Sequence, residues 1–139
     1  MSERYTRLFS LPKNLYAPNA PVLIAAGALL KDNVTGNIIA QLKIGSIVNK
    51  VIKAVKVQIQ PLDTIGESLG EPVEYQYLDL NIVRNANFGS KTAIQLPDIT
   101  TRGFNVSVLN VVYVDNTVWG SIWRRLGAAA GADGAGYIP

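Results

Sequence analysis

The sequence predicts an all-β fold, an antiparallel sandwich or barrel of about seven or eight strands. Three observations carry this. Apolar β-branched residues recur in short runs at roughly ten-residue intervals, with Gly, Pro, Asn and Asp between the runs. No stretch reads convincingly as a helix. And 48% of the residues are hydrophobic against 17% charged, a balance that favours a packed core over disorder.

Residues 1–20 read as an extended arm. Tyr5, Arg7 and Phe9 alternate with Thr6, Leu8 and Ser10, and Pro12 and Pro18 hold the chain in strand or polyproline geometry. Residues 22–31 follow as a buried strand, with Gly27 arguing against a helix. Residues 32–37 form a turn in which Gly36 supplies a positive φ, and residues 38–48 return as the hairpin partner. The next window is two-sided. Val48, Val51, Ile52, Val55 and Ile59 fit a helical spacing, yet Val55, Val57 and Ile59 alternate with Lys56, Gln58 and Gln60. The β-branched composition decides for a strand. Asp63 to Gly66 is a turn. Residues 73–80 and 91–96 are short strands around an Asn-rich loop, and residues 104–114 form a long strand whose phase blurs at Leu109-Asn110, as a bulge would cause. Asp115-Asn116 turns the chain into residues 117–119. From Gly127 to Gly136 every residue except Asp133 is Gly or Ala, a tail unable to hold a core. The expected organisation is an arm (1–20), one sandwich domain (21–120) and a Gly/Ala-rich tail (121–139).

The chain contains no histidine and no cysteine. That removes the usual general base, the soft metal ligands and the thiol nucleophile together. Gly66-Glu67-Ser68-Leu69-Gly70 spells the G-x-S-x-G elbow of hydrolases, but no imidazole exists to take the serine proton and the motif lies between strands. Glu71, Glu74 and Asp79 read as solvated charges. Asp63, Glu67 or Asp98 could offer oxygen to calcium, though no spacing resembles a calcium loop. Phe88 to Lys91 lacks the glycine framework of a phosphate loop. Tyr75 and Tyr77 share a strand face and read as core or cross-strand packing. No catalytic residue, cofactor or metal is expected.

The net charge is +3. Lys43, Lys50, Lys53 and Lys56 form a basic stretch, and Asp63, Glu67, Glu71, Glu74 and Asp79 an acidic one. Opposite charges on adjacent strands explain this better than a nucleic-acid surface. The longest apolar run, residues 22–30, is about half the length of a membrane span. It sits too far in, behind prolines, to be a secretory signal. A cytoplasmic location is the resulting expectation.

Leu11-Pro12-Lys13-Asn14-Leu15-Tyr16-Ala17-Pro18, the run from Pro21 to Leu30, Tyr75-Gln76-Tyr77-Leu78-Asp79-Leu80 and Thr101-Arg102-Gly103-Phe104 resemble a group of uncharacterised domains of Gram-positive bacteria. Residues 52–66, a strand ending in an Asp-x-x-Gly turn, are similar to the FxLYD type of immunoglobulin-like module. The resemblance covers about four-fifths of the chain. It implies an antiparallel immunoglobulin-like sandwich, often set beside a zinc ribbon, and no established activity.

The functional expectation is a non-catalytic structural or protein-interaction module that assembles with itself, as an oligomer or filament, or with another protein. Edge pairing and arm exchange would be the means. Tyr5, Arg7, Phe9 and Leu11 are the candidate donated stretch. Trp119, Trp123, Arg124 and Arg125 are the candidate C-terminal contacts, read either as a turn of amphipathic helix or as a closing strand. Deleting residues 1–12 is expected to abolish association and leave the sandwich folded. The alternative expectation is a monomeric ligand- or cell-envelope-binding domain that uses loops 63–71 and 85–90 as one surface.

Overall fold

The computed structural model describes residues 3–120. All regular structure within them is antiparallel β, as the sequence predicts, in nine strands rather than seven or eight. One sheet contains β1 (Tyr5–Ser10), β2 (Val22–Asp32), β3 (Ile38–Ser46), β6 (Asn87–Phe88) and β7 (Ile94–Leu96). Its order is β1-β2-β3, with the short β6 and β7 both paired to β3. The second sheet runs β5-β4-β8-β9, from β4 (Ile52–Leu62), β5 (Val73–Tyr77), β8 (Gly103–Tyr113) and β9 (Val118–Gly120). The chain crosses between sheets after β3, after β5 and after β7, so each sheet is assembled from separated pieces of sequence.

The pattern of side chains explains the burial. On β4, Val55, Val57 and Ile59 are at most 1% exposed, and Lys56, Gln58 and Gln60 between them turn outward. Alternation, not helical spacing, therefore governs that window. They meet Val22, Ile24, Leu29, Leu42 and Ile44 of the first sheet, with Phe104 and Val111 of β8, in one apolar core. Burying a side chain of this size contributes about 1.5–3 kcal/mol. The expected irregularity on β8 is present. Lys56 pairs with Asn110 and Val57 with Val108, which leaves Leu109 as the extra residue of a bulge.

The N-terminal segment differs most from the sequence reading. It is extended, but it is not a free arm: β1 is the edge strand of its own first sheet, paired with β2 from Tyr5 opposite Asp32 to Ser10 opposite Ala28. Sequence alternation specifies a strand without specifying its partner, and the nearest apolar strand took it. Leu11 continues inward, donating its amide to the Gly27 carbonyl. Gly27 is what admits it, because a β-carbon there would lie 2.5 Å from Leu11 Cδ1. Arg4 grips Asp32 with two nitrogens, at 2.8 and 2.7 Å, and this guanidinium holds the Asp32 carboxyl well below the usual carboxylate range.

Other boundaries shift for local reasons. β5 stops at Tyr77 because Asp79 adopts a positive φ of 56°. Part of the Asn-rich loop pairs with β3 as β6, where two residues are too few to show a period. Residues 117–119, expected after the Asp115-Asn116 turn, include the start of β9.

Candidate functional site: open sheet edges and a polar groove

The residues expected to form a donated stretch divide into two pairs. Tyr5 is 41% exposed and Arg7 lies at the open edge, its guanidinium within reach of Ser10 Oγ at 3.4 Å. Phe9 and Leu11 are already used. Phe9 meets Phe104 edge to face at 5.5 Å, and Leu11 is buried in the core. Within the single chain this segment therefore contributes two side chains to its own core. Trp119 stands on β9 opposite Val111 and packs against the core as a partly buried residue. Trp123, Arg124 and Arg125 lie outside the described residues.

The opposite-charge expectation holds for a specific pair. Lys56 Nζ on β4 reaches Glu74 on β5 at 2.8 Å. Lys50 binds Asp115 at 3.3 Å, and Lys53 donates to Asn116. Lys43, the remaining member of the basic stretch, has no such partner among the described residues.

The loop acids are spent on their own turns. Asp63 Oδ1 accepts the amides of Ile65 and Glu67. Asp98 accepts the amide and hydroxyl of Thr100. Asp115 does the same with Thr117, whose hydroxyl, then amide, lower its carboxyl to about 2. Ser68 of the G-x-S-x-G match bridges back to Leu62 inside the β4–β5 loop. Loops 63–71 and 85–90 do not form one surface. The first follows the Leu62 end of β4, whereas Asn87 pairs with Gly45 at the opposite end, where β3 turns into β4.

Two features of the surface were not legible beforehand. The first is the edge of β5. Its ladder with β4 runs from Val55 opposite Tyr77 to Ile59 opposite Val73 without a register shift, whereas β1 is broken between Arg7 and Phe9. The other edge strands are only two or three residues long. Carbonyls of Lys53 and Pro61 accept amides from Leu80 and Leu69 on the β5 side. By alternation, Val55, Val57 and Ile59 face β5 with their backbones, so Val73, Tyr75 and Tyr77 face back. Glu74 and Gln76 then present their N–H and C=O groups outward. Leu78, 59% exposed, stands at the end of this edge.

Behind the edge lies an aromatic cluster. Tyr77 meets Tyr75 at 4.9 Å and Phe88 at 5.3 Å, both edge to face, as same-face packing of the two tyrosines implies. The Tyr77 hydroxyl is buried without a hydrogen-bond partner among the described residues, and burial, with Tyr75 adding to it, pushes its pKa up. Removing an unsatisfied buried hydroxyl recovers its desolvation cost. Tyr77→Phe is therefore expected to stabilise the fold by about 1 kcal/mol. Urea unfolding checks this through a raised midpoint at constant m value.

The second feature is a groove of about 470 Å³ on the outer side of the first sheet. Its floor is small: Ala25 and Ala26, where a bulge shifts the β2 register, and Gly45 of β3. A β-carbon on Gly45 would meet Asn87 Oδ1 at 2.6 Å, so glycine lets that carboxamide lie over the backbone. Lys13, Asn14, Lys43, Asn85 and Asn87 supply the polar lining. No helix among the described residues is long and apolar enough to cross a membrane. Compared with known proteins, the chain matches no protein-family model, no curated protein and no solved structure.

Proposed function

We propose that the chain is a non-catalytic interaction module that associates with a second copy of itself through the β5 edge. The observation that carries this is the self-complementary register of β5. An antiparallel pair centred on Tyr75 sets Glu74 opposite Gln76 of the second copy, and Val73 opposite Tyr77. Glu74 and Gln76 are the residues whose backbone groups face outward, so each such pair exchanges both hydrogen bonds. No like charges meet, because Glu74 is the only charge on the strand. The two four-stranded sheets become one continuous sheet with two-fold symmetry. The interface closes on itself, which favours a dimer over the filament that arm exchange would build.

The immunoglobulin-like relation belongs to the same proposal. Two antiparallel sheets around one core support it, together with the resemblance at residues 52–66 to FxLYD-type modules. A role in holding proteins together fits an edge better than chemistry fits a chain with no histidine or cysteine.

Gln76→Pro tests the interface selectively. Proline removes an N–H that faces away from β4, so the ladder inside each copy keeps its bonds. Sedimentation velocity of the full chain is expected to show a dimer, and the variant a monomer with an unchanged far-ultraviolet spectrum. A monomer for the unaltered chain at several hundred micromolar (on the order of the weakest specific pairs), or a dimer unaffected by the substitution, overturns the proposal.

A further inference from the structure

We infer that the groove on the outer side of the first sheet binds a small hydroxylated anion, a sugar phosphate or a sugar acid. This site is independent of the β5 edge, which belongs to the other sheet.

The electrostatics set the sign of the ligand. Lys13 and Lys43 line the groove and, among the described residues, no carboxylate does. Only three cations among the described residues, Arg4, Lys50 and Lys56, have acidic partners, and none of the three lines the groove. The two groove lysines have none, so their charge is available. Ammonium groups in a shallow groove remain hydrated until a phosphate or carboxylate replaces that water with charge-assisted bonds.

The amides set the remainder of the molecule. Asn14, from the segment between β1 and β2, and Asn85 and Asn87, from the segment at the start of β6, enter the same groove. None of their carboxamides has a hydrogen-bond partner among the described residues, so all three are available to a ligand. A carboxamide both donates and accepts, which matches a hydroxyl group that must do both. Among the described residues no aromatic side chain lines the groove, and recognition does not draw on stacking. Recognition rests on the anion and the hydroxyls together. The floor of Ala25, Ala26 and Gly45 leaves the space, and a volume of about 470 Å³ is ample for one sugar unit.

The test is a titration of the full chain, followed by amide chemical shifts, with four probes: glucose 6-phosphate, galacturonate, glucose and inorganic phosphate. Saturable shifts at Ala25, Ala26, Gly45 and Asn87 with glucose 6-phosphate or galacturonate, and none with glucose, are expected. Whichever of the two binds more tightly identifies the anion as phosphate or carboxylate. Lys13→Gln and Lys43→Gln should each weaken binding about fivefold, roughly the worth of one exposed charge-assisted contact. Both substitutions are on the surface and leave the fold's spectrum in place. No saturation by either anionic sugar up to ~50 mM, or equal affinity in both lysine variants, overturns the inference. So does inorganic phosphate binding as tightly as glucose 6-phosphate, because the hydroxyls would then be unread. The Gln76→Pro monomer is expected to bind the probes unchanged, which separates this result from the fate of the dimer.

Discussion

Removing residues 1–12 is expected to unfold the domain or lower its melting temperature by roughly 10 °C or more, because the deleted segment is a strand of the fold. Three losses combine. The β1 ladder disappears from β2, the Phe9–Phe104 contact at 5.5 Å is broken, and Leu11 leaves the core beside Gly27. Leu11 alone stands for about 1.5–3 kcal/mol, and the aromatic pair for ~1 kcal/mol beyond its area. Small domains hold only about 5–15 kcal/mol in total, so such losses are felt globally. The newly exposed strand adds a second effect. β2 contains no charge from Val22 to Leu30, and without β1 it becomes an open apolar edge prone to aggregation. Circular dichroism against temperature, with light scattering, checks both effects. A truncated chain that melts with the full one and stays clear would mean that β1 is dispensable.

Phe104→Ala is expected to be the costliest single substitution, at about 3–5 kcal/mol. Phe104 is fully buried on β8, and its ring faces Phe9 from the opposite sheet. Alanine would leave a void between two sheets that are each stiffened by their ladders and held apart by the surrounding core side chains, so collapse around it is limited. Phe104→Leu keeps most of the volume and is expected to lose much less, about 1.5 kcal/mol. Urea midpoints at constant m value separate the two. A loss near 1 kcal/mol for alanine would mean that the sheets relax together readily.

Much of this architecture is written in local pattern. The alternation of Val55, Val57 and Ile59 with polar neighbours places β4 and its buried face. The phase change at Leu109-Asn110 marks the bulge on β8 before any partner strand is known. Partnership itself is less legible. Tyr5 to Ser10 has the alternation of an edge strand whether it pairs within its own chain or with another; in the fold it pairs with β2, and Gly27 makes room for Leu11. β6 is invisible because two residues have no periodicity.

The candidate sites were legible only in pieces. Lys43 reads as part of a basic stretch and residues 85–90 as a loop, but nothing local ties either to Lys13 or Asn14. The pairing of β3 with β6, together with the Asn14 amide bonding to the Ala25 carbonyl of β2, brings them to one groove. Loops 63–71 and 85–90, grouped by composition, are separated by the length of β4. The special status of the β5 edge depends on a straight ladder and on which residues turn their backbones outward, and neither property follows from residue type.

Amide hydrogen exchange on β5, followed as protein concentration is raised, tests the proposed interface most directly. Glu74 and Gln76 face away from β4, so their amides exchange freely in a monomer and become protected as copies pair. Protection at these two amides that rises with concentration, with the edge amides of β1 unchanged, is the expected result. Fast exchange at Glu74 and Gln76 at every concentration, or new protection confined to β1, would contradict association through β5.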